Sequence, residues 1–396
     1  MHHYHLAAIS GLGRISSSVY GVDKRCPLLD LPYFNVLQSF PPDIMHDILE
    51  GTVPQLVNLI LIKFKALDII TVEQINTELN IFEFGRYDRK NKPVPFITRT
   101  GTSINFVGSA SQKFCMFRLL PFMIGNRIPI SNVYWLLYLQ LRDIADYVLA
   151  PKILKTSLSY LQLLVEHFLQ NFIELFPDNL TPKFHFTLHY VRLINENGPL
   201  RYLWCMRFEA KHLYFKKLAS CIRNFKNIGF SLAKLHQLRQ CWEMASSDFL
   251  NEKYETSNLC SVTFDSLETC LQEKLLSFFL NNIIDKKETV WKCNAIAINR
   301  IQFHVHDTVI IALLHAEKIT LFFKIYNNFQ FRQHWVFCGK LLICDKYNEH
   351  LHAFRVIEDE TLSICLPTEV CDYQLLDTYA IQDGDSYITL KYLCFK

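Results

Sequence analysis

Asn197-Gly198-Pro199-Leu200-Arg201-Tyr202-Leu203-Trp204-Cys205-Met206-Arg207-Phe208-Glu209-Ala210-Lys211-His212 is the stretch on which the reading of this chain turns. A Gly-Pro break is followed by a helix-forming run that carries a single acid, Glu209. From Arg201 to Arg239 nine Lys and Arg residues stand against that one acid, a net charge of +8. One carboxylate among bases and aromatics is what a metal-dependent phosphoryl-transfer site asks of this part of a chain. The carboxylate holds a divalent cation and the bases hold a nucleic-acid backbone. The competing reading is a solvated pair of Glu209 with Arg207 or Lys211 on a helix face, and composition alone favours it.

A second stretch, Phe-Pro-Pro-Asp-Ile-Met-His-Asp-Ile-Leu-Glu-Gly from Phe40 to Gly51, carries polar residues at helical spacing. Asp43 and His46 are three apart and share a face. Such a pair is either two metal ligands or a buried hydrogen-bonded pair. Two residues cannot complete a coordination shell, which favours the structural role. Pro41-Pro42 predict a helix start with Asp43 as its cap or in its first turn, and Gly51 and Pro54 predict a break or kink before the next helix.

Taken with Tyr20–Val36 (YGVDKRCPLLDLPYFNV) and Pro182–Ile194 (PKFHFTLHYVRLI), these two motifs give a chain that resembles the C-terminal part of CACTA/EnSpm (Tnp2-like) transposases and the transposase-derived "transposase domain-containing" proteins of animals. The resemblance covers most of the chain, in order. It implies a DDE-type transposase with an RNase H-like core interrupted by a helical insertion. Glu209 would match the last acid of the triad, and Trp204 belongs to the motif around it. Asp43 and His46 would match the D-x-x-H signature that follows the second catalytic aspartate. The residues ahead of Asp43 offer two further aspartates, Asp23 and Asp30, and neither lies in a hydrophobic strand.

The expectation is therefore a partial DDE transposase lacking its upstream catalytic aspartates. It would retain nucleic-acid binding without cleavage and take no cofactor, with Mg²⁺ entering only if the protein is catalytically active. Two alternatives stand beside it. One is a metal-dependent nuclease or transposase using Glu209 with Asp43 and nearby histidines. The other is a protein-interaction scaffold working through its C-terminal part.

The rest of the sequence sets the frame. Residues 1–40 read as an irregular lead-in, with His2, His3 and His5 at a loose terminus. Residues 41–285 read as a helical transposase-like domain. Thr71 opens one helix; Val133, Leu137, Leu141, Ile144 and Val148 mark another up to Pro151. Leu154, Leu158, Leu161, Val165, Phe168 and Phe172 mark a third up to Pro177. Thr181-Pro182 starts a fourth, on which His185 and His189 are spaced like a helical zinc pair but without the H-E-x-x-H glutamate. Packed or hydrogen-bonded histidines are the favoured reading, with metal ligation by them or by Glu209 the weaker one.

Beyond Glu209, Arg207, Lys211, Lys216, Lys217, Arg223 and Lys226 interleave with aromatics, a pattern suited to phosphate contact and base stacking. For the aromatics alone, an amphipathic pair with its rings in the core is favoured. A helical linker is expected over about Leu259 to Ile284. Residues 290–396 alternate with period two and read as a small antiparallel β barrel or sandwich, separable from the helices, with hairpin turns at Asn327-Asn328 and Asp383-Gly384. The fold class is thus mainly α with a C-terminal β domain. Lys340 to Lys396 holds ten acids against five bases, so a protein partner suits this part better than DNA. Thirteen scattered cysteines without a C-x-x-C argue for a reducing compartment, nucleus or cytoplasm, and no apolar run is long enough for a membrane partner.

Overall fold

Thr71 shows how closely local chemistry decides the helices. Its hydroxyl accepts from the Gln74 amide at 3.3 Å while the Gln74 side chain accepts from the Thr71 amide at 2.8 Å, a capping box. The computed structural model describes residues 27–35, 41–98, 103–246, 254–279, 287–298, 301–313, 320–332, 334–381 and 384–394. The histidines at 2, 3 and 5, Asp23, and Asp383 of the expected second turn lie outside the described residues. The chain divides into two compact units, Met1–Asp43 and Ile44–Lys396. In the first, Pro27–Asp30 form one 3-10 turn.

In the second unit the helices run α1 (Met45–Thr52), α2 (Val53–Ala66), α3 (Val72–Ile81), α4 (Ala110–Ile124), α5 (Val133–Val148), α6 (Leu158–Leu175), α7 (Pro182–Thr187), α8 (Tyr190–Asn197), α9 (Met206–Ile222), α10 (Ile228–Ala245) and α11 (Thr269–Phe278). Most of the apolar stripes point inward as their spacing requires: Leu137, Leu141, Ile144 and Val148 of α5 and Leu158, Leu161, Val165, Phe168 and Phe172 of α6 are buried, whereas the expected first members, Val133 and Leu154, are exposed. The expected break at Gly51 and Pro54 does not occur. α1 is wound as a π-helix and runs straight into α2, with Pro54 in the first turn of α2 where a missing N–H costs little. Asp43 is not the cap of α1; that place falls to Ile44, without a side-chain hydrogen bond.

Apart from a short antiparallel pair, Ile97–Thr98 with Ile104–Asn105, the strands are β1 (Tyr254–Ser257), β2 (Cys260–Thr263), β3 (Thr289–Cys293), β4 (Ala295–Ile298), β5 (Ile301–His304), β6 (Thr308–Leu313), β7 (Thr320–Phe331), β8 (His334–Asn348), β9 (Ala353–Cys365), β10 (Asp372–Leu376), β11 (Tyr379–Ala380) and β12 (Ser386–Ile388). They do not close into a barrel. One open antiparallel sheet has the order β10-β6-β7-β8-β9-β12-β11, with β3 pairing both β2 and β7, and β1-β4-β5 form a smaller sheet. Two local expectations are corrected. Cys260–Thr263 is a strand at the start of the expected helical linker, the rest of which does contain α11, and Tyr254–Ser257, just ahead of it, is a strand as well. Asn327 and Asn328 lie inside β7 and not in a turn, and Asn328 is fully buried. Long-range pairing with β8 overrides the turn preference of Asn-Asn.

The expected boundary near 285–290 does not divide the core. Ile310, Phe322, Leu342, Ala353, Val356, Tyr379 and Ile388 of the strands share one apolar cluster with the buried faces of α2, α4, α5 and α6. Polar links cross the same junction. Asp88 pairs with Arg118 of α4 and accepts from the Tyr379 hydroxyl of β11 at 2.6 Å, with both charged side chains almost fully buried. The Trp135 indole of α5 donates to the His350 carbonyl at 3.1 Å, and His352 Nε2 lies 2.9 Å from Asp143 Oδ1. Asp307, next to β6, accepts from the Tyr87 hydroxyl and from the His304 amide.

Burial pushes the Asp307 carboxyl up to about 6 against the pull of those two hydrogen bonds. Its folded-state value is raised, so its contribution is fully present below the unfolded value of 3.8 and is lost as pH rises through about 6. Asp307→Asn is therefore expected to flatten the stability profile between those limits, as read from denaturation midpoints across pH. An unaltered profile would show that Asp307 titrates normally.

Candidate functional site at the root of the helix pair

Gly198 ends α8 at φ 79°, a conformation that favours glycine, and Pro199 follows it. A 3-10 turn, Leu200–Tyr202, then delivers Trp204 and Cys205 to the start of α9. Leu200 is buried, and Trp204, Cys205 and Met206 pack against the main core. The Arg201 guanidinium donates to the Leu149 carbonyl at 3.0 Å and stacks on the rings of Tyr392 at 4.3 Å and Trp204 at 5.5 Å. These contacts explain why an aromatic and a base flank the break: together they anchor the root of the helix pair.

The two motifs found far apart in the sequence meet here. His46 Nδ1 of α1 lies 3.2 Å from Cys205 Sγ, across 159 residues of sequence. The Cys205 thiol points to Glu209 Oε1 at 3.6 Å, one turn along α9. On the other side of the imidazole, His46 Nε2 faces Glu50 Oε2 at 3.7 Å. The result is a continuous row, Glu50–His46–Cys205–Glu209. His46 is not the member of a buried pair that the sequence favoured, since its side chain is 45 % exposed. The buried carboxylate of this motif is Asp47, which accepts from the Tyr190 hydroxyl at 3.4 Å. Asp43 is half-buried, outside any helix or strand, at the end of the first unit.

Gly51 belongs to the same construction. A Cβ on it would stand 2.3 Å from Lys183 Cδ and 3.0 Å from the His46 carbonyl oxygen. Lys183 of α7 passes through that gap to donate to the His46 carbonyl at 2.6 Å. Gly51→Ala is expected to displace Lys183 and destabilise the fold by about 1–3 kcal/mol. A thermal melt measures this, and an unshifted midpoint would mean that Lys183 moves aside freely.

His185 of α7 and His189, which caps the start of α8, are apart from this row and do not share one helix as their spacing suggested. His185 Nε2 and His189 Nε2 lie 3.3 Å from one another, His185 exposed and His189 half-buried. Burial, then the His185 ring and Arg192, lower the His189 pKa. Among the described residues, no third metal-ligating side chain joins this pair in a compact group.

Glu209 is exposed in the first turn of α9, where a carboxylate also complements the helix dipole. Neither Arg207 nor Lys211 forms an ion pair with it within 4 Å. Arg207, Lys211, Lys216 and Lys217 of α9, Arg223 and Lys226 of the connection, and Lys234 and Arg239 of α10 are all exposed. No residue of α9 or α10 is buried. The aromatics divide between the two readings. Tyr214 and Phe215 pack with His236 in the seam between the helices. Phe208, Phe225, Phe230 and Trp242 are 66 %, 69 %, 72 % and 73 % exposed. Cys205 escaped the sequence analysis because a single cysteine carries no periodic or spacing signal; only the fold places it against His46.

The chain matches no protein-family model, no curated protein and no solved structure. Among the described residues no helix is long and apolar enough to cross a membrane.

Proposed function

We propose that this is a transposon-derived, DDE-transposase-like protein that binds nucleic acid through the α9–α10 helix pair and does not cleave it. The observation that carries the reading is the exposure of eight bases on two helices and their connection, where neither helix buries a residue of its own. A globular chain has no structural use for so many like charges beside solvent-facing Phe and Trp rings. A polyanion with stacking bases satisfies both: phosphates take the Lys and Arg side chains, and bases take the rings. Sequence preference is expected to be weak, because contacts of this kind are made to the backbone.

The absence of cleavage is argued from the company Glu209 keeps. Two-metal phosphoryl transfer needs cations about 4 Å apart held by several oxygen ligands, and Mg²⁺ takes near-octahedral oxygen coordination. The neighbour of the Glu209 carboxylate is a thiol, with an imidazole beyond it. These donors suit a softer ion and not Mg²⁺.

The test is a gel-shift and nicking experiment on supercoiled plasmid, with Mg²⁺ or Mn²⁺, beside Glu209→Gln. Retarded but intact plasmid is the expected result. Metal-dependent nicking that disappears in Glu209→Gln would overturn the reading in favour of a nuclease. No retardation at low salt would overturn it in favour of a protein-interaction scaffold.

A further inference from the structure

We propose that the α9–α10 pair prefers unpaired nucleic-acid strands to duplex, with Phe208, Phe225, Phe230 and Trp242 as the platforms on which separated nucleobases stack. This rests on the nucleic-acid reading above and narrows it to one class of ligand.

The placement of the rings is the first argument. All four are exposed, and each has a cationic side chain within a few residues of it. On α10, Phe230, Lys234, Leu238 and Trp242 follow one another at four-residue steps, so they form one row along the helix. At about 100° of turn per residue, the middle of that row lies opposite His236. His236 packs in the seam with Tyr214 and Phe215 of α9. The row is therefore aimed away from α9, into solvent, as its exposure shows. It sets a ring at each end, about 18 Å apart at 1.5 Å per residue, with the Lys234 ammonium between them. On α9, Phe208 is followed by Lys211 one turn along.

The connection between the helices is the second. Arg223 ends α9 and Asn227 precedes α10 with φ of 53° and 54°, a left-handed conformation that only glycine adopts without cost. The Lys226 amide donates to Asn224 Oδ1 at 3.1 Å within this turn. So built, the turn holds Phe225 between Arg223 and Lys226 with all three exposed. A ring flanked by two cations is thus repeated at the end of α9 far from its root. Among the described residues, Arg239 is the one member of the eight cations that makes an ion pair, with Glu243 at 2.8 Å. The others remain available to phosphates.

Charge and stacking predict opposite orders of preference, and their sizes decide between them. Each phosphate contact contributes about 0.9 to the salt slope on duplex and about 0.7 on a single strand, so the Lys and Arg side chains by themselves favour duplex. In duplex, however, the nucleobases are stacked on one another and closed to the rings. In an unpaired strand their faces are open, and each stack on an aromatic side chain is worth on the order of ten-fold in affinity. Four rings outweigh the electrostatic difference. Duplex is still held, through its phosphates alone. A protein partner would also cover the rings, but the net charge of +8 from Arg201 to Arg239 calls for a polyanion.

The experiment uses the full chain and two probes, a fluorescent dT oligonucleotide alone and the same strand paired with its dA complement. Anisotropy gives both affinities, and tryptophan emission reports stacking. The single strand is expected to bind about ten-fold or more tightly than the duplex and to quench tryptophan emission. Trp242→Leu is expected to remove most of that quenching. The combined variant Phe208→Ser, Phe225→Ser, Phe230→Ser and Trp242→Ser changes exposed side chains only. It is expected to lower single-strand affinity about ten-fold or more and duplex affinity much less, so that the preference disappears. Equal affinity of the parent for the two probes overturns the preference while leaving nucleic-acid binding in place. So does a combined variant that loses both probes equally or keeps the preference. A parent that binds neither probe overturns the nucleic-acid reading itself, and this inference with it.

Discussion

Asp88→Ala is expected to remove about 3–5 kcal/mol of stability, a large part of what a folded chain usually holds. Asp88 is 5 % exposed and faces Arg118, which is 3 % exposed. Taking away the carboxylate leaves a guanidinium buried without its counter-charge, and such a charge has no cheap refuge. The same substitution takes the acceptor from the Tyr379 hydroxyl. The damage falls on the junction between α4 and the sheet, so helix and strand signals should be lost together on heating. A loss below about 1 kcal/mol would mean that water replaces the carboxylate and that the pair lies in a wetter setting than its burial indicates.

A fragment of residues 288–396, expressed alone, is expected to show no cooperative melt. The period-two pattern of this part reads as an independent β domain, and one of its apolar clusters, around Phe303, Phe323 and Phe337, is its own; a second, around Phe329, Phe331 and Val336, is completed by Phe264, Leu271 and Leu275 from outside the fragment. The opposite face of the sheet is the difficulty. Ile310, Phe322, Leu342, Val356 and Ile388 are covered by the helical part. Exposing five such side chains costs on the order of 10 kcal/mol at about 1.5–3 kcal/mol each. That is comparable to the whole net stability, about 5–15 kcal/mol, that a folded domain usually holds. Circular dichroism through a thermal scan decides it. A sharp β-type transition from the fragment would show that its own clusters suffice and that the shared face is dispensable.

How much of this was legible in the sequence varies with the range of the interaction. The α5 and α6 stripes and the Thr71 capping box were readable because helix chemistry is local, within four residues. The sheet region was readable as strands for the same reason. Its openness and its packing against the helices were not, because alternation says which face of a strand is apolar and not what covers it. Asn327-Asn328 misled as a turn signal because pairing over the length of β8 outweighs a dipeptide preference. At the candidate site, Glu209, Trp204 and His46 stood out through motif resemblance and charge contrast. Cys205 and Glu50 did not. Their importance lies in distances to His46, and no pattern along the chain encodes a 3.2 Å approach across 159 residues.

The surface of the α9–α10 pair lies between these cases. Its bases were countable in the sequence, but their aromatic neighbours looked like core residues. The core interpretation holds for Tyr214 and Phe215, which have each other and His236 to pack on. It fails for Phe208, Phe225, Phe230 and Trp242, which the fold leaves in solvent. That combination of bare charge and bare rings is what the nucleic-acid proposal rests on.

The most direct measurement is the salt dependence of duplex binding by the full chain, read by fluorescence anisotropy. Each phosphate neutralised releases counterions, so log affinity should fall linearly with log salt by about −0.9 per contact. Replacing Lys216, Lys217 and Arg223 together with Ala should make the slope shallower by roughly 2–3, because up to three contacts are removed. A triple variant with the parent's slope, or a parent that fails to bind at low salt, would contradict the assignment of the α9–α10 pair as a nucleic-acid interface.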